Sequence, residues 1–247
     1  MNLVVIYGIS SFLGFSISKR LGESGKVNII GVYRNKNQYI DSLNKEEFVI
    51  KLISMDLAAK SVVAGDVIRD EVDNYENITV LYCCGMWNHS SVYEISQEEI
   101  ENVTRVGFRA PVEAMASYFS YLKKHKKNWQ FINITGLAGE KGAVKYNGLY
   151  NATATALCNF VRSAAMEISG SGRSVCVFSI GLFDKGQEYI NELCSQLVIE
   201  RPLAVENVVE PIYQQIMSPN YALNGAVVEL SDGLFNYQEA AKLMVSS

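Results

Sequence analysis

The sequence predicts a doubly wound α/β fold, a seven-stranded parallel sheet of order 3-2-1-4-5-6-7 covered by helices on both faces as a three-layer sandwich. Three observations predict it. Short apolar runs of strand length alternate with longer amphipathic stretches along the chain. Those short runs are dominated by apolar residues, the pattern of parallel strands covered on both faces. A glycine-bearing turn, Gly8 to Gly14, leads straight from the first strand into the first helix.

The elements follow in order. Strands are expected at Leu3 to Tyr7, Val27 to Tyr33, Phe48 to Met55, Ile78 to Cys83, Trp129 to Thr135, Ser174 to Ile180 and Ala226 to Leu230. Helices are expected near 12–24, 58–73, 97–126, 149–169 and 205–217, where apolar residues recur at helical spacing. Strand, helix, strand at this cadence implies right-handed crossovers. Only four prolines occur, and no Gly/Ser-rich linker or internal repeat interrupts the pattern, so residues 1–247 are read as one domain. Residues 182–204 are the least regular and are read as a lid over a pocket.

Composition removes several function classes. With 247 residues, 49% apolar and 19% charged, the chain can bury a sizeable core. A net charge of -4 argues against a nucleic-acid surface, which needs concentrated Lys and Arg. The one basic run, Lys123 to Lys127, falls where a helix should end and complements its exposed carbonyls. Five cysteines, without CxxC or Cys/His spacing, predict reduced thiols, no metal site and a cytoplasmic setting. No apolar run is long enough to span a membrane, and no targeting segment is read at the start.

The stretches that carry chemistry are GISSFLG (from Gly8), VYRN (to Asn35), MDL (to Leu57), YCCGMW (to Trp87), NVTRVGFRAP (from Asn102), FINITGLAG (from Phe131), YNATA (from Tyr150) and NGAVVELSDG (from Asn224). Together they resemble the short-chain dehydrogenase/reductase family over the whole chain. The resemblance implies a Rossmann-type site for NADP(H). A helix start offers free amides and a positive dipole end to a pyrophosphate, here along Gly8, Ser10, Ser11, Phe12, Leu13 and Gly14. Gly8 would make the tight turn, and Gly14 would let the helix pack closely on the sheet. Phe12 stands where the family carries a further glycine. Longer, sugar-modifying relatives carry Phe there but have glycine where this chain has Ser11, so the loop is one glycine short either way. Arg34, in place of an acidic residue, offers a guanidinium to a 2′-phosphate; the alternative is a solvated loop arginine. Asp56 and Leu57 match the adenine-binding position, although an Asp after a strand is also a routine helix cap. Gly85 and the small Cys83-Cys84 pair permit close cofactor approach, and Gly181 follows the sixth strand where the family has Pro-Gly.

In the family's mechanism a Tyr protonates the carbonyl oxygen, a Ser orients it, a Lys holds the ribose and acidifies the Tyr, and an Asn supports a proton-relaying water. Here the Tyr is Tyr150. The Ser, Lys and Asn positions read Gly136, Ala154 and Gly107. A phenol of pKa about 10 is a poor acid unless a cation favours its anion, and Ala154 removes that cation. Asn102 does not substitute for Gly107, since five residues of helix turn it roughly 140° away. Thr135, one residue before Gly136, is the candidate replacement hydroxyl if the chain slips at the strand end. Lys145 and His89 are candidate auxiliary groups, and Tyr146 is a rival to Tyr150 in an alternative alignment. Tyr150 also has a purely structural reading, a ring buried at the start of a packed helix. The expectation is an NADP(H)-binding protein poor or inactive as an ordinary carbonyl reductase: a noncatalytic partner of an active homologue, a nucleotide-responsive scaffold or a carrier of non-redox chemistry. The alternative is an NADPH-dependent reductase of a ketone or 3-oxoacyl group with Tyr150 as acid. A homodimer or homotetramer is expected, because the 149–169 helix is too apolar for a solvated face.

Overall fold

A computed structural model describes residues 1–88, 90–137, 146–168, 170, 172–185 and 202–231. Its sheet has the expected order, β3-β2-β1-β4-β5-β6-β7, with every neighbouring pair parallel. The strands are β1 (Asn2–Tyr7), β2 (Val27–Tyr33), β3 (Val49–Ser54), β4 (Asn77–Tyr82), β5 (Asn128–Gly136), β6 (Arg173–Ile180) and β7 (Val227–Leu230). Each lies within a residue or two of its expected place. The described helices are α1 (Phe12–Gly22), α2 (Gln38–Leu43), α3 (Ala64–Ile68), α4 (Gln97–Thr104), α5 (Ala110–Lys124), α6 (Gly148–Glu167) and α7 (Val205–Met217).

Each face of this Rossmann-like sheet carries its own core. On one, Leu3, Val5, Tyr7, Val80, Phe131 and Val177 pack with α5 and α6 residues such as Met115, Tyr118, Leu157 and Val161. On the other, Val4, Ile6, Leu81, Ile132 and Phe178 pack with Ile17 and Leu21 of α1 and Val208 and Ile212 of α7. Adjacent strand residues thus feed opposite layers, as the two-residue period of a strand requires.

Three helical expectations change. The 58–73 stretch is not one helix but a turn after Asp56, the short α3 and a 3₁₀ turn at Val72–Asn74. The 97–126 stretch is interrupted by a π-helical turn at Arg105–Arg109. Pro111, near the start of α5, has no N–H to offer the Gly107 carbonyl four residues back and crowds it, which widens the ladder there. The short α2 went unread; its signal is Asn37, whose side chain accepts from the Ile40 amide, followed by buried Ile40 and Leu43.

The reason given for oligomerisation also changes. The apolar residues of α6 (Leu157, Cys158, Val161, Ala164, Ala165) are buried in the chain's own core, and its exposed side is mostly small or polar except for Met166. Among the described residues no helix is long and apolar enough to cross a membrane.

Candidate functional site

The carboxyl ends of β1, β2, β3 and β4 open into a cleft of about 380 Å³. Its wall includes Gly8, Ser10, Ser11, Arg34, Asp56, Leu57 and Gly85, all singled out from the sequence, together with Cys83 and Cys84. Gly8 has φ +85°, and a Cβ there would lie 2.6 Å from the Cys83 carbonyl, so the turn and the close approach of β4 both demand glycine. A Cβ on Gly14 would collide with the Gly8 carbonyl; α1 is packed onto the turn itself. Ser11 caps α1 by accepting from the Gly14 amide at 3.0 Å.

Phe12 does not line this cleft. Its ring stacks on Phe183, from the loop after β6, with centroids 6.5 Å apart, and meets Tyr39 of α2 edge-on. The large side chain at the glycine position is therefore turned to the outside of the helix start, and Leu13 and Gly14 are buried beneath it.

Arg34 is exposed at the rim. Asp56 lines the cleft and accepts from the Ala58 amide at 3.0 Å, which closes a turn and not the helix start expected of a cap. Asn37, unremarked in the sequence, donates to the Ser10 carbonyl at 2.9 Å and ties α2 to the glycine turn. Burial pushes the Cys83 thiol up to about 11 and the Cys84 thiol higher still, so both walls of this turn are neutral thiols.

At the far end, Tyr150 sits in the first turn of α6. The space a Gly136 side chain would take is filled by Tyr150: a Cβ there would collide with the phenol oxygen and lie 2.9 Å from Cε1. A Cβ on Gly85 would lie 3.6 Å from the other edge of the same ring, and Trp87 packs over it with centroids 5.0 Å apart. Burial pushes the phenol up to about 12, and the Gly136 backbone hydrogen bond beside it offsets this only in part. No described cation contributes to that balance. Ala154, one turn on, is buried.

Gly107 faces α6 too, and a Cβ there would lie 2.7 Å from the Thr153 hydroxyl. Thr153 donates that hydroxyl to the Tyr150 carbonyl at 2.9 Å. Thr135 is buried and its hydroxyl has no hydrogen-bond partner among the described residues; the group beside the phenol is Gly136. Tyr146 lies outside α6 at φ +67°, which places Tyr150, not Tyr146, on the helix. Gly181 donates its amide to the Leu230 carbonyl at 2.8 Å, tying the end of β6 to β7. His89, Lys145, Asp232 and most of the 182–204 stretch lie outside the described residues.

The short chain dehydrogenase family model matches residues 2–187. The chain belongs to that family. Among curated proteins, it is 21% identical over 221 residues to an uncharacterized oxidoreductase of Staphylococcus epidermidis, covering 89% of this chain and 93% of that one. It is 22% identical over 199 residues to a 3-ketodihydrosphingosine reductase of Bacteroides thetaiotaomicron, covering 79% and 70%. Among solved structures it is similar to a 4-hydroxyisoleucine dehydrogenase complexed with NADH, with a TM-score of 0.80, 17% identity and coverage of 94% and 98%. It is also similar to BdcA in complex with NADPH, with a TM-score of 0.74, 18% identity and coverage of 93% and 92%. At these identities the structural likenesses establish the fold.

Sequence reasoning missed Trp87 and Asn88 at this site. They lie in the GMWNHSS segment, from which only the histidine was singled out. A large aromatic and an Asn just past the β4 turn were the available signal.

Proposed function

We propose that this chain binds a nicotinamide dinucleotide along the β1–β4 cleft, prefers NADP(H), and is a poor or inactive carbonyl reductase. The fit of the cofactor's adenosine half rests on the Gly8 and Gly14 contacts, the open cleft and the outward Phe12. Ser10, Ser11 and the α1 start would hold the phosphates, Arg34 a 2′-phosphate, and Asp56 and Leu57 the adenine. The cofactor, when bound, supplies hydride chemistry. The NADH and NADPH complexes of the structurally similar proteins support a nicotinamide cofactor here without choosing between the two.

One observation carries the reading of low activity: the Tyr150 phenol is pressed against the Gly136 backbone, raised to about 12, with Ala154 where a cation would lower it. At neutral pH such a group holds its proton. It can donate a hydrogen bond to a carbonyl oxygen but is a weak acid toward it. The roles that follow are those of a noncatalytic partner of an active homologue, a nucleotide-responsive scaffold or a carrier of non-redox chemistry, in a single domain that assembles as a homodimer, homotetramer or hetero-oligomer.

The second reading is a reductase of a ketone or 3-oxoacyl group with Tyr150 as acid. It is favoured by the retained phenol beside Trp87 and by the 3-ketodihydrosphingosine reductase among the curated relatives. Turnover of NADPH with 3-oxoacyl and ketone substrates separates the two. Ordinary enzyme rates that vanish in Tyr150→Phe would establish the second reading and end the first.

A further inference from the structure

The start of α6 has an unusual cap. Its own N-cap residue, Asn147, makes no capping bond through its side chain, and its Oδ1 has no partner among the described residues. The bond comes instead from Asn88, sixty-two positions earlier in the chain, whose Oδ1 accepts the Tyr150 amide at 3.0 Å. Tyr150 is the third residue of α6, where a capping side chain normally acts. The Asn88 side-chain Nδ2 also donates to the Tyr146 carbonyl at 3.3 Å, and the Ser90 backbone amide donates to the same carbonyl at 3.0 Å. These bonds hold Tyr146 at φ +67°, a conformation a bulky residue keeps only when its surroundings impose it. Asn88 is 3% exposed, so both bonds form away from competing water. Its neighbour Trp87 packs over the Tyr150 ring.

We propose that Asn88 is a positioning residue for Tyr150: it caps α6 from the loop after β4 and, with Trp87, fixes the phenol against Gly136. The loop after β4 then grips this tyrosine twice, by its backbone through Asn88 and by its ring through Trp87. Any ligand that moves the loop moves the phenol with it. This rests on the reading of Tyr150 as the group that meets substrate, but its geometry can be tested without cofactor or turnover.

The test uses the full chain in three forms: unaltered, Asn88→Ala and Asn88→Asp. Asp keeps an oxygen for the Tyr150 amide; Ala keeps nothing. Amide hydrogen exchange is read at Tyr150, and the Tyr150 ring signal is read by NMR of ¹³C-tyrosine-labelled protein, identified by its loss in Tyr150→Phe. In Asn88→Ala the Tyr150 amide should exchange roughly fivefold faster, the loss of one capping bond. Its ring signal should move toward the free-tyrosine position. Asn88→Asp, which keeps the oxygen for the Tyr150 amide but loses the Nδ2 donor to the Tyr146 carbonyl, should slow the Tyr150 exchange again relative to Ala. Unchanged exchange and ring signals in a folded Asn88→Ala, or no rescue by Asp, would overturn the proposal. If neither variant gives a cooperative melt, Asn88 is a folding determinant and the positioning role falls. Failure of the unaltered chain to bind NADPH would instead sink the cofactor reading and leave the Asn88 result standing.

Discussion

The two ends of the cleft differ in what holds them. At the end proposed for adenosine, the contacts are mostly of backbone: a glycine at positive φ, a helix packed onto the turn and a small-residue β4 turn, with the Asp56 side chain beside them. At the end proposed for chemistry, the positions read as the family's Ser, Lys and Asn carry Gly136, Ala154 and Gly107, and neighbours occupy the space beside two of them. Tyr150 fills the space at Gly136, and Thr153 fills that at Gly107. A missing side chain here is not a hole to be refilled. The first end is shaped by backbone contacts that leave no room for a Cβ, whereas the second is shaped by side chains packed into the space beside its glycines.

The largest effect should come from the end held by backbone. Gly14→Ala sets a methyl against the Gly8 carbonyl, backbone against backbone, and should cost about 3 kcal/mol or prevent folding in urea unfolding measurements. Full stability in that variant would break the contrast. Next, Arg34→Ala should weaken NADPH binding by roughly tenfold or more, the worth of one charged hydrogen bond, while NADH titrates as before. Equal losses for both cofactors would remove Arg34 from the 2′-phosphate. Gly136→Ser alone should not create activity; it should displace Tyr150 and lower stability by about 1 kcal/mol or more. A Gly136→Ser protein as stable as the parent would mean that the phenol yields easily, and the chemical end would then be open to refilling after all.

The smallest effect is in pH. Tyr150 binds its proton more tightly folded than unfolded, so between its ordinary value near 10 and about 12 the folded state holds more protons. Stability from this group is complete below the lower value and is lost as pH rises through the upper one. Tyr150→Phe should therefore show a shallower alkaline decline than the parent in stability measured from pH 9 to 11. An identical slope would show that the phenol is not buried as described. Tyr7, Tyr82 and Tyr118 contribute to the shared part of the decline, because burial raises each of them.

Most of the sheet was legible because parallel strands buried on both faces need short, mainly apolar runs, and Leu3 to Tyr7 or Ile78 to Tyr82 have no other use for such composition. Helix interruptions were less so. Pro111 was visible, but the width of the turn it produces depends on α6 accepting Gly107 against Thr153. The cleft residues Gly8, Ser10, Ser11, Arg34, Asp56, Leu57 and Gly85 were found because short motifs at the strand ends resemble those of the short-chain dehydrogenase/reductase family, and such motifs are local stretches of sequence. Asn88 was not found, since its partners lie at Tyr146 and Tyr150 and no local pattern marks a cap supplied from another loop.

The sequence by itself determined the order of the layers, the glycine turn under the cleft and the absence of an ammonium group one turn past Tyr150. Each is set by residue type and spacing along a single element. The tertiary structure alone decided which way Phe12 turns, what occupies the space beside Gly136 and which residue caps α6. Those outcomes depend on side chains distant in sequence competing for one volume or one amide, and that competition exists only when the chain is folded.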